Sequence, residues 1–167
     1  MSKTKTLVLN DRQIRQKITR MAYEIYERNL HEETLVFAGI TGMGHLLALS
    51  LSSTLESISP IKTEVIEIIL DKSNVEKSEI RLSKSPSAES HCLIIVDDVL
   101  NTGKTLVYAL QPFLNSAVRK IEVAVLVNRS HKLFPVTPDY TGLELATTLS
   151  EHITVDLQSE NHTVHLH

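Results

Sequence analysis

The sequence predicts an α/β fold in which a mostly parallel central sheet is flanked by helices. The runs 91–96 and 121–127 are apolar apart from His91 and Glu122, as strands covered on both faces are. Helix-periodic segments alternate with such runs, and glycine-bearing turns join strand to helix.

Taken in order, Ile14, Ile18, Met21, Ala22 and Ile25 recur at helical spacing and define an amphipathic helix from Asn10 to about Arg28, with Asn10 or Asp11 as its cap. Thr34 to Gly39 reads as a short buried strand. It runs into the turn Thr41-Gly42-Met43-Gly44, after which a second helix is expected from His45 to Leu55. Glu64 to Leu70 alternates as a strand. The polar, serine- and lysine-rich stretch 71–90 is expected to be a mobile loop, with a short hairpin around Glu79 to Leu82. His91 to Val96 is a buried strand ending in Asp97-Asp98. Gly103 to Asn115 is helical, with Pro112 kinking it or starting a new turn. Ile121 to Val127 is the next central strand, and His152 to Leu157 the last, before a frayed tail carrying His162, His165 and His167. Ligands of such open sheets bind beyond the carboxyl ends of the strands.

At 167 residues one domain, 1–167, is expected. No apolar run approaches the roughly 20 residues of a membrane-spanning helix, and no secretory signal is legible, so the expected location is the cytoplasm. Cys92 is the only cysteine, which excludes an internal disulfide and a cysteine-built metal site. A net charge of −3 and the absence of tryptophan argue against a general nucleic-acid platform.

The chemistry concentrates in HCLIIVDDVLNTGKT, where adjacent carboxylates end a buried strand and a hydroxyl-rich turn precedes a helix. Backbone N–H groups from Asn101 to Thr105 can converge on a phosphate, with Thr102 and Thr105 adding hydroxyls, while Gly103 clears the approach. Asp97 and Asp98 can accept hydrogen bonds from a ribose diol and hold nearby magnesium through water. The string Thr-Gly-Lys-Thr also invites a nucleotide P-loop reading. That motif needs a glycine five residues before Gly103, where Asp98 stands.

The string VDDVLNTGKT resembles the signature for phosphoribosyl pyrophosphate (PRPP) of the type I phosphoribosyltransferases, and the closer resemblance is to their PyrR group. That group comprises RNA-binding attenuators of pyrimidine operons that are also uracil phosphoribosyltransferases. LNDRQIRQKITRMAYEIYERN, AGITGMGHLLA and AVLVNRSHKLFPVTPDYTGLELATT look like the same group in the same order, so nearly the whole chain is covered.

The resemblance implies the type I phosphoribosyltransferase fold with a small hood at about 127–157. It implies that Asp97 and Asp98 contact the ribose hydroxyls and serve catalysis, and that Asn101, Thr102, Gly103, Lys104 and Thr105 hold the 5′-phosphate. Thr41, Gly42, Met43 and Gly44 would receive pyrophosphate, Lys72 would belong to the flexible loop at about 71–90, and Val127, Asn128 and Arg129 would face the base. The implied reaction joins uracil to PRPP in pyrimidine salvage, with Mg2+ carried by PRPP and no metal held directly. A homodimer or higher homo-oligomer is implied as well.

Departures from the group are specific. Its pyrophosphate loop usually reads Lys-Thr-Arg-Gly, so both cations are absent here, and its Tyr-Arg-Asp-Asp is Asp71-Lys72-Ser73-Asn74 in this chain. Asn128 stands where the group has an aspartate. Two other functions fit the residues: an RNA attenuator using Arg12, Arg15, Lys17 and Arg20 on the first helix, with Thr19-Arg20 matching a pair in the group, and a PRPP or nucleotide sensor without catalysis. A solvated helix face is the preferred reading of those cations on a negatively charged chain. His45 is read as facing solvent, and His131 as lying near the base.

Overall fold

The computed structural model describes residues 4–87 and 92–167. A short strand, β1 (Thr6–Leu9), leads into helix α1 (Asp11–Arg28). The helix begins at the expected cap: Asn10 Oδ1 accepts from the Gln13 N–H and Gln13 Oε1 from the Asn10 N–H, each at 2.9 Å. Reciprocal capping of this kind is worth about 1 kcal/mol. Strand β2 (Thr34–Ile40), helix α2 (Met43–Ile58) and strand β3 (Lys62–Ile69) follow. A 3-10 turn (Lys72–Asn74) and strand β4 (Arg81–Leu82) occupy the polar stretch. Then come β5 (Cys92–Leu100), α3 (Lys104–Ala109), a 3-10 turn (Gln111–Phe113) opened by Pro112, and β6 (Lys120–Asn128). The chain closes with β7 (Tyr140–Glu144), β8 (Ile153–Asp156) and β9 (Thr163–Leu166).

The central sheet has the order β4-β3-β2-β5-β6-β7 and is parallel except for β4; in place of a hairpin confined to Glu79–Leu82, Arg81 and Leu82 pair antiparallel with Ile69 and Ile68 of β3. A second sheet, β1-β9-β8, is antiparallel. Alternation along the central strands sorts their side chains onto two covered faces. Leu35, Phe37, Ile94, Val96 and Leu126 meet α1 and α2 through Ile14, Met21, Leu47 and Leu51. Val36, Ala38, Leu93, Ile95 and Val125 meet Leu106, Ala109 and Phe113 on the other side. Each such side chain stabilises by roughly 1.5–3 kcal/mol when removed from water, which is why these runs read as largely apolar.

Besides adding the short strands β1 and β7, the structure differs from the sequence reading in four places. Strand β5 does not end at the acidic pair but continues through it to Leu100, because β6 keeps pairing with it as far as Asn128. Helix α2 starts inside the glycine turn, at Met43, and reaches Ile58. The helix expected over 103–115 is six residues of α3 and then the separate 3-10 turn at Pro112. The tail is not frayed: β9 lies between β1 and β8, and the His152 and His167 backbones exchange hydrogen bonds at 2.6 and 2.9 Å. His91 and residues 88–90, assigned above to a strand and a mobile loop, lie outside the described residues. Among the described residues no helix is long and apolar enough to cross a membrane.

At the amino ends of β5 and β6 a polar cluster is buried. Asn29 Nδ2 donates to Ile25 O, Glu122 Oε1 and Tyr140 Oη, and Tyr140 Oη donates to Glu122 Oε2 at 2.9 Å. Burial first, and the Glu122 carboxylate second, drive the Tyr140 phenol far above its ordinary range, so it stays a donor. Tyr140→Phe leaves Glu122, 6% exposed, without that donor. The expected cost is about 1–3 kcal/mol, read as a Tm lower by several degrees. Ligand binding should be unchanged, because the cluster lies at the far end of the strands from the site.

Candidate functional site

The candidate site is built where β2, β3 and β5 end and α2 and α3 begin. Asp97 and Asp98 stand near the end of β5. Asp97 is 3% exposed, and its Oδ1 accepts from the Asp98 N–H at 2.9 Å. Lys72, from the turn after β3, donates through Nζ to Asp97 Oδ1 at 2.7 Å and to Asp98 Oδ1 at 3.3 Å. Burial pushes the Asp97 carboxyl up to about 7, the Asp98 charge adds to the rise, and Lys72 opposes it. Lys72 is itself held above the usual lysine range by the two carboxylates, against the opposing effect of its burial, the largest single influence on it.

Because β5 runs on to Leu100, the turn proper is Asn101–Gly103. It is held from the hood side: the Arg129 N–H donates to Leu100 O at 2.9 Å, and Leu133 and Phe134 N–H groups donate to Thr102 O at 2.9 and 3.1 Å. Gly103 adopts φ +88°, a left-handed backbone conformation that favours glycine. Thr102 Oγ1 accepts from the Lys104 N–H at 3.2 Å. A cavity of about 140 Å³ opens between Asp97, the turn and the start of α3. With only six residues, α3 contributes little field, so an anion here would be held by converging amides and hydroxyls.

The second turn lies across from it. Thr41 donates through both N and Oγ1 to Ile68 O at 2.9 Å, and Gly42 adopts φ +90°. Gly44 is pressed on β5: a Cβ there would stand 2.8 Å from Val96 O and 3.1 Å from Asp97 Cα. Met43 turns the other way, its Sδ accepting from the Leu157 N–H at 3.4 Å. His45 does not face solvent freely; it is half-buried and its Nδ1 is shielded without a hydrogen-bond partner.

Val127, Asn128 and Arg129 are all buried. Arg129 spans the hood, donating to Thr147 Oγ1 at 3.0 Å and to the carbonyls of Thr148 and Glu151. His131 shares a hydrogen bond with Thr147 Oγ1 at 3.1 Å. A second cavity, about 180 Å³, adjoins the turn at Asn101 and Thr102 and is bounded by Arg129, His131, Leu149 and His152. The sequence reading missed Glu76, whose carboxylate pairs with Lys104 Nζ. No local pattern marks that contact, since the partners are joined only by the fold. On α1, Arg15 pairs with Asp11 at 2.8 Å, and Arg20 pairs with Glu24 and donates to the carbonyls of Thr141 and Gly142. Two of the four cations considered for RNA are therefore engaged within the chain.

The fold and this site define an open-sheet α/β protein whose candidate site lies at the carboxyl ends of the central strands. The chain belongs to the phosphoribosyl transferase domain family, which matches residues 6–160. It is 37% identical over 161 residues to the Bifunctional protein PyrR of Brevibacillus brevis, covering 92% of this chain and 90% of that one. To the Bifunctional protein PyrR of Clostridium kluyveri it is 31% identical, covering 93% and 92%. Among solved structures, a hypoxanthine phosphoribosyl transferase of Trypanosoma cruzi superposes with TM-score 0.73 at 17% identity, covering 85% of this chain and 78% of that one. A hypoxanthine-guanine phosphoribosyltransferase of Bacillus anthracis gives 0.69 at 15%, covering 84% and 82%. These structures establish the fold.

Proposed function

We propose that this protein transfers ribose 5-phosphate from PRPP to uracil, giving UMP and pyrophosphate. The observation that carries the proposal is the acidic pair continuing, on one strand, into a glycine turn with converging amides and hydroxyls. In this reading Asn101, Thr102, Gly103, Lys104 and Thr105 hold the 5′-phosphate, and Asp97 and Asp98 accept hydrogen bonds from the ribose hydroxyls. Thr41 to Gly44 receive the pyrophosphate end, while Val127, Asn128 and Arg129 bound the base, Arg129 by bracing the hood. Lys72, on the flexible loop, is released from the carboxylates when the sugar arrives. The oxygen-rich acidic pair Asp97-Asp98, already holding one cation in Lys72, suits a magnesium ion, which would be carried by PRPP and would supply counter-charge to its diphosphate.

The bond from the anomeric carbon to pyrophosphate oxygen breaks, the bond to the uracil ring nitrogen forms, and the nitrogen gives up its proton. In this reading Asp98 or its neighbour Asp97 receives it. Catalysis rests mainly on positioning and on keeping water from the activated sugar. A homodimer or higher homo-oligomer in the cytoplasm is the proposed setting.

The test is uracil-dependent release of pyrophosphate from magnesium PRPP. Turnover establishes the transferase; tight PRPP binding without turnover on any base means a sensor. Salt-dependent binding of a pyrimidine-leader RNA would add the attenuator activity, kept as the lesser reading because a net charge of −3 gives the chain no general attraction to RNA.

A further inference from the structure

We propose that residues 71–76 form a strap that mimics the ligand by charge, Lys72 occupying the acidic pair and Glu76 the cation at the head of α3, so that PRPP binds by displacing it. This inference rests on the PRPP reading of the site.

The strap is a built element. Leu70 and Val75, 7% and 3% exposed, anchor it in the core beneath α3. Between them the Asp71 side chain accepts from the Ser73 N–H at 2.9 Å and from Ser73 Oγ at 2.6 Å, closing the 3-10 turn. That turn projects Lys72 onto Asp97 and Asp98, and Glu76 onto Lys104. Its two ion pairs therefore reach the two halves of the site, the carboxylates of β5 and the first residue of α3.

The signs match the substrate. An ammonium rests where the sugar hydroxyls and an accompanying cation would be received, and a carboxylate rests on the lysine of the phosphate turn. Of the three charged residues in the strap, Asp71 closes its own turn, whereas Lys72 and Glu76 take partners that the ligand needs. The Lys104–Glu76 pair is partly exposed, its side chains 35% and 45% accessible, and Lys72 is 39% accessible above the buried Asp97. An exposed pair such as Lys104–Glu76 is weak and yields to a ligand of higher charge. The strap thus keeps Asp97 paired in the free protein without closing the site to PRPP.

The experiment compares wild type with Glu76→Gln and, as a surface-charge control on the same stretch, Glu79→Gln. Each is titrated with magnesium PRPP and with inorganic phosphate alone at low and high salt, and hydrogen exchange is followed at residues 72–77 in the ligand-free proteins. Glu76→Gln is expected to bind both anions about two- to fivefold more tightly at low salt, the range an exposed ion pair supplies. Its strap amides should exchange faster, and the gain should vanish at high salt; Glu79→Gln should behave as wild type. PRPP binding of equal or lower affinity in Glu76→Gln overturns the strap and leaves the PRPP site standing. Failure of PRPP to bind wild type and variant alike overturns the proposed function, and the mimicry with it.

Discussion

Asp97→Asn is expected to make the folded protein more stable at neutral pH, and together with Asp98→Asn to weaken its binding of PRPP. In the free protein this carboxyl is buried beside Asp98, and burial is the main reason that it titrates at about 7 rather than in the ordinary carboxylate range near 3.9. Between those pH values the native chain keeps a proton that the unfolded chain has lost. Stability therefore falls as pH rises from about 4 to 7, and the penalty is fully present above 7 and absent below 4. Its size is on the order of a few kcal/mol, net of what the Lys72 ammonium returns. An asparagine has no charge to desolvate and can still accept from Lys72 and the Asp98 N–H. Thermal melts should show the variant about 5 °C or more above wild type at pH 8, the two converging at pH 4. In PRPP titrations at pH 8, Asp97→Asn/Asp98→Asn should lose about a hundredfold or more, as expected when charge-assisted hydrogen bonds to a ligand are removed together. Equal melting temperatures at both pH values would mean that Asp97 carries no strain.

Gly44→Ala is expected to lose both stability and ligand affinity. The added methyl would stand 2.8 Å from Val96 O and 3.1 Å from both Asp97 Cα and Oδ1, and two of those three atoms are backbone of the central strand. Helix α2 has little room to retreat within the β2 contact, because Gly39 already brings β2 against its first turn, where a Cβ would lie 2.5 Å from His45 Cα. Overpacking at such a contact costs about 1–3 kcal/mol or more. Relief must come from moving α2 off β5, which separates the Thr41–Gly44 turn from the carboxylate it faces. The expected result is a Tm lower by several degrees and PRPP affinity reduced about tenfold. Gly42→Ala is the comparison: its φ of +90° is strained for alanine, yet nothing lies within 4 Å of the new methyl. It should cost about 1 kcal/mol and leave Asp97 in place. Equal losses in the two variants would show that strain, and not the fit of α2 on β5, governs the site.

Local chemistry was legible in the sequence alone. Largely apolar runs identified β5 and β6, helical spacing and Asn10 identified α1, and Pro112 marked where the helix expected over 103–115 gives way to a new turn, since each signal lies within a few residues of the structure it specifies. The acidic pair and the glycine turn were legible for the same reason. Tertiary structure alone decided the rest. Strands β1, β7 and β9 are four or five residues long, too short to show a period, and exist because distant partners complete their hydrogen bonds. Pairing with β6 drew β5 past Asp98, and the fold brought Lys72 and Glu76 across the site from a stretch that reads only as polar. Likewise, no spacing relates Asn29, Glu122 and Tyr140; burial without water made their mutual hydrogen bonds obligatory.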